Sequence, residues 1–414
     1  MTHPTLPLES VERDLREITE TLAHELPASG TVAPDWSDTQ WRLARAVAAM
    51  QGVSALLAKS LRWQDAPDGW TTFLEEQRQH VGKRYARVAQ LLARADRQFR
   101  DQGIPFVALK GAALHALGIY APGERPMADL DLLVREADKE AAERALGTLG
   151  FQLVLTTWRH GLFEAGEHAA PAALGEHSGN HLKFELHCRI CERLPIEVAD
   201  ITASVFPPSP VPGLNRYSNP AALMSHLLLH AAGAMTFRAL RLLHLHDIAR
   251  LAGHLSIRDW EACLGRESAQ DPERWWLYPP LHLCARYFNG IPGEVLTEAA
   301  ALCPRSLRRT FLHRSLSDVS LSSLWIAAFP GIEWARSVGD RVRYAARRIA
   351  PERELLAARE TLLAFESWNA TADWAKLSQA RRIVRWVTSR PARVETMAAV
   401  QAALAPPSQP SQRA

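Results

Sequence analysis

Apolar residues recur along the 414-residue chain with two different spacings, and each spacing predicts its own kind of element. Up to about residue 100 they recur every three or four positions, as between Trp41 and Met50, which is typical of helices buried on one face. Short apolar runs then alternate with helical stretches until about residue 206, which predicts a sheet with helices packed on it. Helical spacing returns after that point.

These changes of pattern divide the chain into four parts. We predict a helical segment over 1–100, an α/β domain over 101–206, a helical domain over 207–405 and a disordered tail over 406–414. The second boundary is a proline-rich stretch, 207–220, which interrupts regular structure. The predicted fold class is therefore α+β, and we expect the first helical segment to cover one side of the sheet.

Two aspartates alternate with leucines in the apolar run DLDLLV, residues 129–134. Since residues i and i+2 share one face of a strand, Asp129 and Asp131 lie side by side while Leu130 and Leu132 point into a core. Two ionised carboxylates at a buried strand repel each other and need a cation. Oxygen ligands of this kind suit Mg²⁺ or Mn²⁺, which commonly also bind substrate phosphates.

The residues before this strand favour a phosphate as the partner of the cation. Lys110 and Gly111 lie where a strand passes into a helix, so backbone N–H groups and the helix dipole can receive a phosphate. Arg125 precedes the D-x-D strand, and its guanidinium can bind two phosphate oxygens. The alternative is an ordinary α/β unit in which Gly111 makes a tight turn and Arg125 pairs with Asp129.

A later strand carries a further carboxylate. Apolar and polar residues alternate over 181–190, which places Glu185 and His187 on the same polar face. If this strand pairs with the D-x-D strand, Glu185 is either a third metal ligand or the base that deprotonates an acceptor hydroxyl. His187 would contact a phosphate or hold a carboxylate in place. An exposed edge strand with a surface histidine is the alternative.

Other histidines give weaker signals. His226 and His230 are one helical turn apart, but the intervening residues are LLL and lack the glutamate of an H-E-x-x-H motif. We therefore favour packing histidines, or residues lining a cleft, over a zinc site. The Gly- and His-rich stretch 161–180 reads as a loop between strands, and we assign no role to His160.

Composition and charge exclude several classes of protein. The 48 basic and 45 acidic residues give a net charge of +3, so we expect no nucleic-acid partner, which normally requires a basic excess on one face. No stretch reaches about 18 uninterrupted apolar residues, so we predict no membrane span. The N-terminus lacks the apolar core of a signal peptide, and the five cysteines do not form a disulfide framework. We therefore expect a cytoplasmic protein.

The motifs together resemble a known family. LKG, a helix and then RPMADLDLLV resemble the signature of the DNA polymerase beta superfamily of nucleotidyltransferases. More narrowly, they are similar to a bacterial family of uncharacterised nucleotidyltransferases, and the similarity spans roughly residues 35–265. It includes the strand with Glu185 and the helical stretch with Asp247. Ala112 stands where many superfamily members have a serine after glycine, so one hydroxyl contact with phosphate is missing.

The resemblance implies a polymerase-beta-like sheet domain and an enzyme that transfers a nucleoside monophosphate. It would take this group from a nucleoside triphosphate, with Mg²⁺ or Mn²⁺, to a hydroxyl or phosphate of a small molecule, peptide or sugar, and release pyrophosphate. It also implies a bacterial biosynthetic pathway. The implied metal ligands and catalytic residues are Asp129, Asp131 and Glu185. The implied nucleotide-binding residues are Lys110, Gly111, Arg125, His187 and Asp247.

Three alternatives stay open at this point. Asp247 lies near Arg241 and Arg250 in the sequence, so a buried Asp–Arg pair joining two domains is as consistent with the pattern as a substrate contact. A degenerate family member that binds nucleotide without turnover is a second alternative, which the missing serine favours. The third is a helical interaction protein whose D-x-D is merely a strand edge.

Overall fold

The computed structural model describes residues 7–166, 174–266, 273–351 and 377–405. The tail predicted to be disordered, 406–414, lies outside the described residues. Four helices come first, as the spacing of apolar residues predicted. They are α1 (Leu8–Glu25), α2 (Asp38–Met50), α3 (Ser54–Ser60) and α4 (Asp68–Asp101). Helix α2 begins after Ser37, whose hydroxyl accepts a hydrogen bond from the backbone N–H of Gln40, so a capping box fixes its start.

In its described residues the sheet region contains eight strands and three α-helices. The strands are β1 (Pro105–Ala108), β2 (Asp129–Val134), β3 (Gln152–Thr156), β4 (His160–Glu164), β5 (Lys183–His187), β6 (Cys191–Leu194), β7 (Glu197–Asp200) and β8 (Gly213–Asn215). The helices are α5 (Lys110–Ala116), α6 (Lys139–Thr148) and α7 (Thr202–Val205). Six strands form one mixed sheet in the order β3-β4-β5-β2-β1-β8, and β6 pairs with β7 in a separate hairpin. Strand β5 is parallel to β2, and β8 is parallel to β1.

Two strands lie where the sequence pattern predicted no sheet. The loop predicted over 161–180 is wrong at its start, because β4 reaches Glu164; residues 167–173 of that stretch lie outside the described part. Strand β8 lies inside the proline-rich stretch, so the sheet extends past the boundary we predicted at residue 206. Both strands are short, and cross-strand partners rather than local pattern stabilise such segments.

Alternate residues of the central strands divide between two hydrophobic cores. Phe106, Leu130, Leu132 and Phe184 pack with α4 and α6 on one face of the sheet. The ring of Phe99 in α4 lies 5.0 Å from that of Phe106, measured between centroids. The two leucines of the D-x-D strand therefore point away from its aspartates, as predicted, and α4 covers one side of the sheet.

Ten further helices follow the sheet within the described residues. They are α8 (Pro220–Thr236), α9 (Leu242–Ala252), α10 (Ile257–Cys263), α11 (Tyr278–Tyr287), α12 (Gly293–Leu302), α13 (Arg305–Phe311), α14 (Leu316–Val319), α15 (Val338–Ile349), α16 (Gln379–Thr388) and α17 (Val394–Leu404). Side chains of α1, α2 and α3 share one core with those of α8 to α14 and of α17. The protein is thus α+β, with helices from both ends of the chain packed together.

Helix α8 is the central element of this core. It begins after Asn219, whose side chain accepts a hydrogen bond from the backbone N–H of Ala222 at 2.8 Å, and proline occupies its first turn. Nearly all of its residues are buried, which explains why it is apolar on every side. No helix among the described residues, α8 included, is long and apolar enough to cross a membrane.

Gln51, next to the end of α2, links the early helices to the late ones. Its backbone carbonyl accepts a hydrogen bond from Leu243 N–H at 3.2 Å, and its side-chain oxygen accepts one from Leu242 N–H at 2.8 Å. Its side-chain NH₂ donates to the hydroxyl of Ser322 at 3.1 Å. Because Gln51 is only 1% exposed, water cannot replace these partners when the side chain is changed.

We predict that Gln51→Leu lowers the free energy of unfolding by about 1–3 kcal/mol, because it leaves the buried N–H of Leu242 without a partner and removes one of the two hydrogen bonds that the Ser322 hydroxyl accepts. Urea unfolding of the full chain measures this change. Gln401→Leu, at an exposed glutamine of α17, is the matched control and should change stability by less than about 0.5 kcal/mol. Equal effects of the two substitutions would contradict the role of Gln51.

Candidate functional site

The register between β2 and β5 brings three carboxylates together. Asp131 lies directly opposite Glu185, and Asp129 lies opposite Lys183. Because side chains two residues apart share a face, all three carboxylates point to the same side of the sheet. There they line a cavity of about 510 Å³. The strand with Glu185 and His187 thus pairs with the D-x-D strand, the case that we considered from the sequence beside an exposed edge strand.

The pKa values of the two aspartates shift in opposite directions, although the residues are only two positions apart. Burial, with repulsion from Glu185 and Asp131, raises the pKa of Asp129 to about 7. Burial also opposes ionisation of Asp131, but Lys110 and His187 outweigh it and hold the pKa of Asp131 well below its usual range. Lys110 Nζ lies 2.8 Å from Asp131 Oδ1, and His187 Nε2 lies 3.2 Å from the same oxygen. Asp131 thus has direct cationic partners, whereas Lys183 and Lys110 offset the shift of Asp129 only in part.

Lys110 reaches this position through unusual backbone geometry. It follows β1 and begins α5 with a φ of +46°, in the left-handed region that non-glycine residues seldom adopt. Its backbone N–H donates to the hydroxyl of Tyr217 at 3.3 Å. Burial lowers the pKa of Lys110, but Asp131 and Glu185 outweigh it, and the pKa is raised overall. The lysine therefore remains charged inside the protein.

Arg125 packs against the backbone of Gly111. A Cβ atom at Gly111 would lie 2.2 Å from Arg125 Nη1, so only glycine leaves room for the guanidinium there. Arg125 donates from Nε and Nη2 to the two carboxylate oxygens of Asp247, at 2.8 and 2.6 Å. Nη1 donates to the carbonyl of Pro126 at 2.9 Å. The alternative partner considered from the sequence, Asp129, does not pair with Arg125.

Asp247 lies behind Arg125 and does not line the cavity. Only 2% of its side chain is exposed, and it also accepts a hydrogen bond from the hydroxyl of Tyr120 at 2.8 Å. The buried Asp–Arg pair considered from the sequence is therefore present, with Arg125 as the partner instead of Arg241 or Arg250. Arg250 donates to the carbonyl of Ile119. The pair joins α9 to the turn before β2.

His160, to which we assigned no role from the sequence, completes the centre of the site. Strand β4 runs antiparallel to β5 and places His160 opposite His187, with 4.9 Å between ring centroids. His160 Nδ1 lies 3.7 Å and His187 Nε2 3.5 Å from Glu185 Oε2. Burial lowers the pKa of His160 to about 4. Burial opposes protonation of His187 as well, but hydrogen bonds to Asp131 and Glu185 raise its pKa overall.

The wall beside these residues carries a second polar group that the sequence did not indicate. Glu192 of β6 is buried, and its Oε1 accepts a hydrogen bond from Arg159 Nη1 at 2.5 Å. His230 Nδ1 lies 3.6 Å from the same oxygen. Gly233 of α8 faces this carboxylate so closely that a Cβ there would lie 2.5 Å from Glu192 Cδ. No local motif marks Glu192, because its neighbours come from distant parts of the chain.

The helical wall of the cavity carries several histidine side chains and an arginine. His226 and His230 both line it, which confirms the cleft-lining alternative for these histidines. Arg241 and His244, at the start of α9, line it too. The side chain of Arg241 is open to the cavity, and no carboxylate of the described residues forms an ion pair with it. The surrounding protein lowers the pKa of Arg241 by desolvation, while the charge of Asp129 opposes that shift.

The protein thus has an acidic centre on a mixed α+β sheet, surrounded by basic side chains in one cavity. The profile of a family described as uncharacterised nucleotidyltransferase matches residues 37–289. The match covers well over half of the chain and includes the three carboxylates, so the chain belongs to this family, as its motifs predicted. No curated protein and no solved structure matches the chain.

We predict that Asp247→Asn lowers the free energy of unfolding by about 3 kcal/mol, because it leaves the buried guanidinium of Arg125 without its counter-charge. Chemical unfolding measures the loss. Glu140→Gln is the control, since the Glu140–Arg144 pair is 3.9 Å long and both side chains are largely exposed, and it should cost less than about 0.5 kcal/mol. A similar small cost at Asp247 would show that the buried pair is not needed for stability.

A second prediction follows from the raised pKa of Asp129. Folding lifts that pKa from 3.8 to about 7, so between these values the folded chain holds a proton that the unfolded chain has released. This carboxyl therefore reduces stability as the pH rises from about 4 to 7, and the loss is complete above pH 7. Asp129→Asn should gain stability relative to the wild type over the same interval.

Unfolding free energies measured from pH 5 to 8 in the presence of a chelator test this prediction. Only the difference between variant and wild type is compared, because other groups titrate in both proteins. The exposed Asp101→Asn is the control and should show no difference that grows with pH. A constant difference between Asp129→Asn and the wild type would contradict the assigned shift.

Proposed function

We propose that this protein transfers a nucleoside monophosphate from a nucleoside triphosphate to an acceptor hydroxyl or phosphate, releasing pyrophosphate. The observation that carries the proposal is the strand register that sets Asp131 opposite Glu185, with Asp129 on the same face of the cavity. Membership of a nucleotidyltransferase family supports the reaction class. We also propose that the sheet is of the polymerase-beta type that the motifs imply.

We propose that Asp129, Asp131 and Glu185 hold Mg²⁺ or Mn²⁺. The donor set fits such ions, because it consists of carboxylate oxygens on two adjacent strands. The raised pKa of Asp129 also fits, since a cation would relieve the repulsion among the three groups. When bound, the ion would neutralise the charge that develops on the phosphates during transfer.

Three cations that line the cavity can bind the triphosphate. Lys110 uses one of its three N–H donors on Asp131, and Arg125 retains donors beyond those used by Asp247 and Pro126. Arg241, which no carboxylate engages among the described residues, is the third. Gly111 leaves space for Arg125 beside the start of α5. In this proposal Asp247 is a positioning residue, which acts on the nucleotide through Arg125.

In the transfer step an acceptor oxygen attacks the α-phosphorus and forms the new P–O bond. The bond from that phosphorus to the bridging oxygen breaks, and pyrophosphate leaves with the electron pair. The proton of an acceptor hydroxyl must move to a base, and Glu185 is placed either for that role or as a third ligand. His187 contacts both Asp131 and Glu185 and thus holds these carboxylates in position. Such transfers depend on positioning and charge neutralisation more than on covalent work by the protein.

A protein that binds nucleotide without turnover is the second candidate, and one observation favours it. Lys110 Nζ and His187 Nε2 both form hydrogen bonds with Oδ1 of Asp131, so that oxygen already has two partners within the protein. Ala112 also lacks the hydroxyl that many superfamily members offer to phosphate. A binder of this kind would retain nucleotide affinity and show no transfer to any acceptor, whether small molecule, peptide or sugar.

We expect the full chain, given each α-labelled nucleoside triphosphate with Mg²⁺ or Mn²⁺ and extract of its host cell, to transfer label to an acceptor. Asp131→Asn should reduce the transfer at least about 100-fold, because it removes a proposed ligand of the ion that would neutralise the reacting phosphates. Glu140→Gln, on the exposed side of α6, should transfer label at the wild-type rate.

Calorimetry with the same nucleotides separates the two candidates. Metal-dependent binding without label transfer would favour the inert binder. No nucleotide binding, with or without metal, would exclude both candidates for this chain.

A further inference from the structure

His160, Glu185 and His187 form a cluster whose ligating atoms converge on one point. One nitrogen of each histidine and one oxygen of the glutamate all lie within 4.8 Å of one another. Glu185 Oε2 is 3.7 Å from His160 Nδ1 and 3.5 Å from His187 Nε2. In a tetrahedral site with bonds of about 2.0–2.1 Å, neighbouring ligand atoms lie about 3.4 Å apart. The two distances from Glu185 are close to that spacing, and His187 Nε2 would exchange its 3.2 Å contact with Asp131 Oδ1 for the ion.

Among the described residues, no group forms a hydrogen bond with the nitrogen of His160 that faces this cluster. Nδ1 is fully buried, and its distance of 3.7 Å from Glu185 is too long for a hydrogen bond. Leaving a buried polar atom unpaired costs about 1–3 kcal/mol, so such an atom calls for an explanation. Coordination of a metal ion would use this nitrogen, and its position toward Glu185 and His187 is the one that coordination requires.

Strand pairing holds the three side chains in a rigid frame. His160 and His187 are direct partners across the β4–β5 ladder, and Glu185 lies two residues before His187 on the same face. The side chains of the two histidines are 11% and 8% exposed, and that of Glu185 is 21% exposed. Ligands fixed on adjacent strands are better pre-organised than ligands on a loop. The open side of the cluster faces the cavity, so an ion can enter.

We propose that His160, Glu185 and His187 bind a divalent transition-metal ion of the Zn²⁺ or Fe²⁺ class. Two imidazoles and one carboxylate favour such ions over Mg²⁺, which prefers oxygen ligands. The neighbouring Asp129 and Asp131 offer oxygen only, so the cavity contains two cation sites of different selectivity. The binding itself does not rest on the proposed function. The consequence for that function does rest on it: Glu185 then binds the ion at the histidine site, so it is neither the base for the acceptor hydroxyl nor the third ligand of the ion held by Asp129 and Asp131.

Cobalt(II) binding to the full chain, after treatment with a chelator and without nucleotide, tests this proposal. Co²⁺ bound by imidazole and carboxylate in a low-coordinate site gives visible absorption, whereas hydrated Co²⁺ absorbs weakly. We expect one Co²⁺ per chain with this absorption, displaced by equimolar Zn²⁺ and retained in a large excess of Mg²⁺. His160→Gln and His187→Gln should each weaken Co²⁺ binding at least about tenfold.

One further variant separates this site from the aspartate pair, and another is the control for loss of a histidine. Asp129→Asn should keep the Co²⁺ absorption, and His313→Gln, at an exposed histidine after α13, should leave affinity unchanged. Circular dichroism of every variant establishes that it is folded, and the wild-type competition between Mg²⁺ and Co²⁺ does not depend on any substitution. Displacement of Co²⁺ by Mg²⁺, or absorption lost in Asp129→Asn and kept in folded His160→Gln, would overturn the proposal. Since no nucleotide is present, failure of label transfer leaves this result unaffected.

Discussion

The parallel pairing of β2 with β5 is the constraint on which the rest of the site depends. The two strands are separated by about fifty residues of chain, yet their register sets Asp131 opposite Glu185. A shift by one residue would turn the carboxylates into the core and the leucines into the cavity. The apolar residues of both strands oppose such a shift, because they are buried against α4 and α6. The same packing that stabilises the sheet therefore selects the register of the acidic centre.

The acidic centre costs stability, and neighbouring groups offset only part of that cost. Asp131 is compensated by Lys110, which adopts a left-handed backbone to reach it. Asp129 has no such partner, and its carboxyl resists ionisation as a result. The buried ion pair of Arg125 and Asp247 holds Arg125 in position at the wall of the cavity. Carboxyl groups with strongly shifted pKa values beside cationic side chains are typical of candidate functional sites.

The position of the cavity follows from how the two faces of the sheet are covered. Helix α4 closes one face with apolar side chains, while α8 and α9 approach the other face from the later half of the chain. Polar side chains of β2, β4 and β5 face α8 and the start of α9, and the cavity lies between these elements. Helices from both ends of the chain share the core behind α8 and α9. The family match covers the cavity residues, and α12 to α17 lie beyond it.

The sequence alone determined the parts of this protein that depend on local spacing. Period-two alternation placed Asp129, Asp131 and Glu185 on polar faces, and apolar residues three or four positions apart predicted the helical segments on either side of the sheet. Which distant groups meet depended on the tertiary structure. Arg125 pairs with Asp247, 122 residues away, and His160 reaches the centre through β4, whose residues 161–164 we predicted as loop. The spacing of apolar residues determines which face of a helix or strand is buried. Strand order and helix packing determine which elements become neighbours, and these depend on the whole chain.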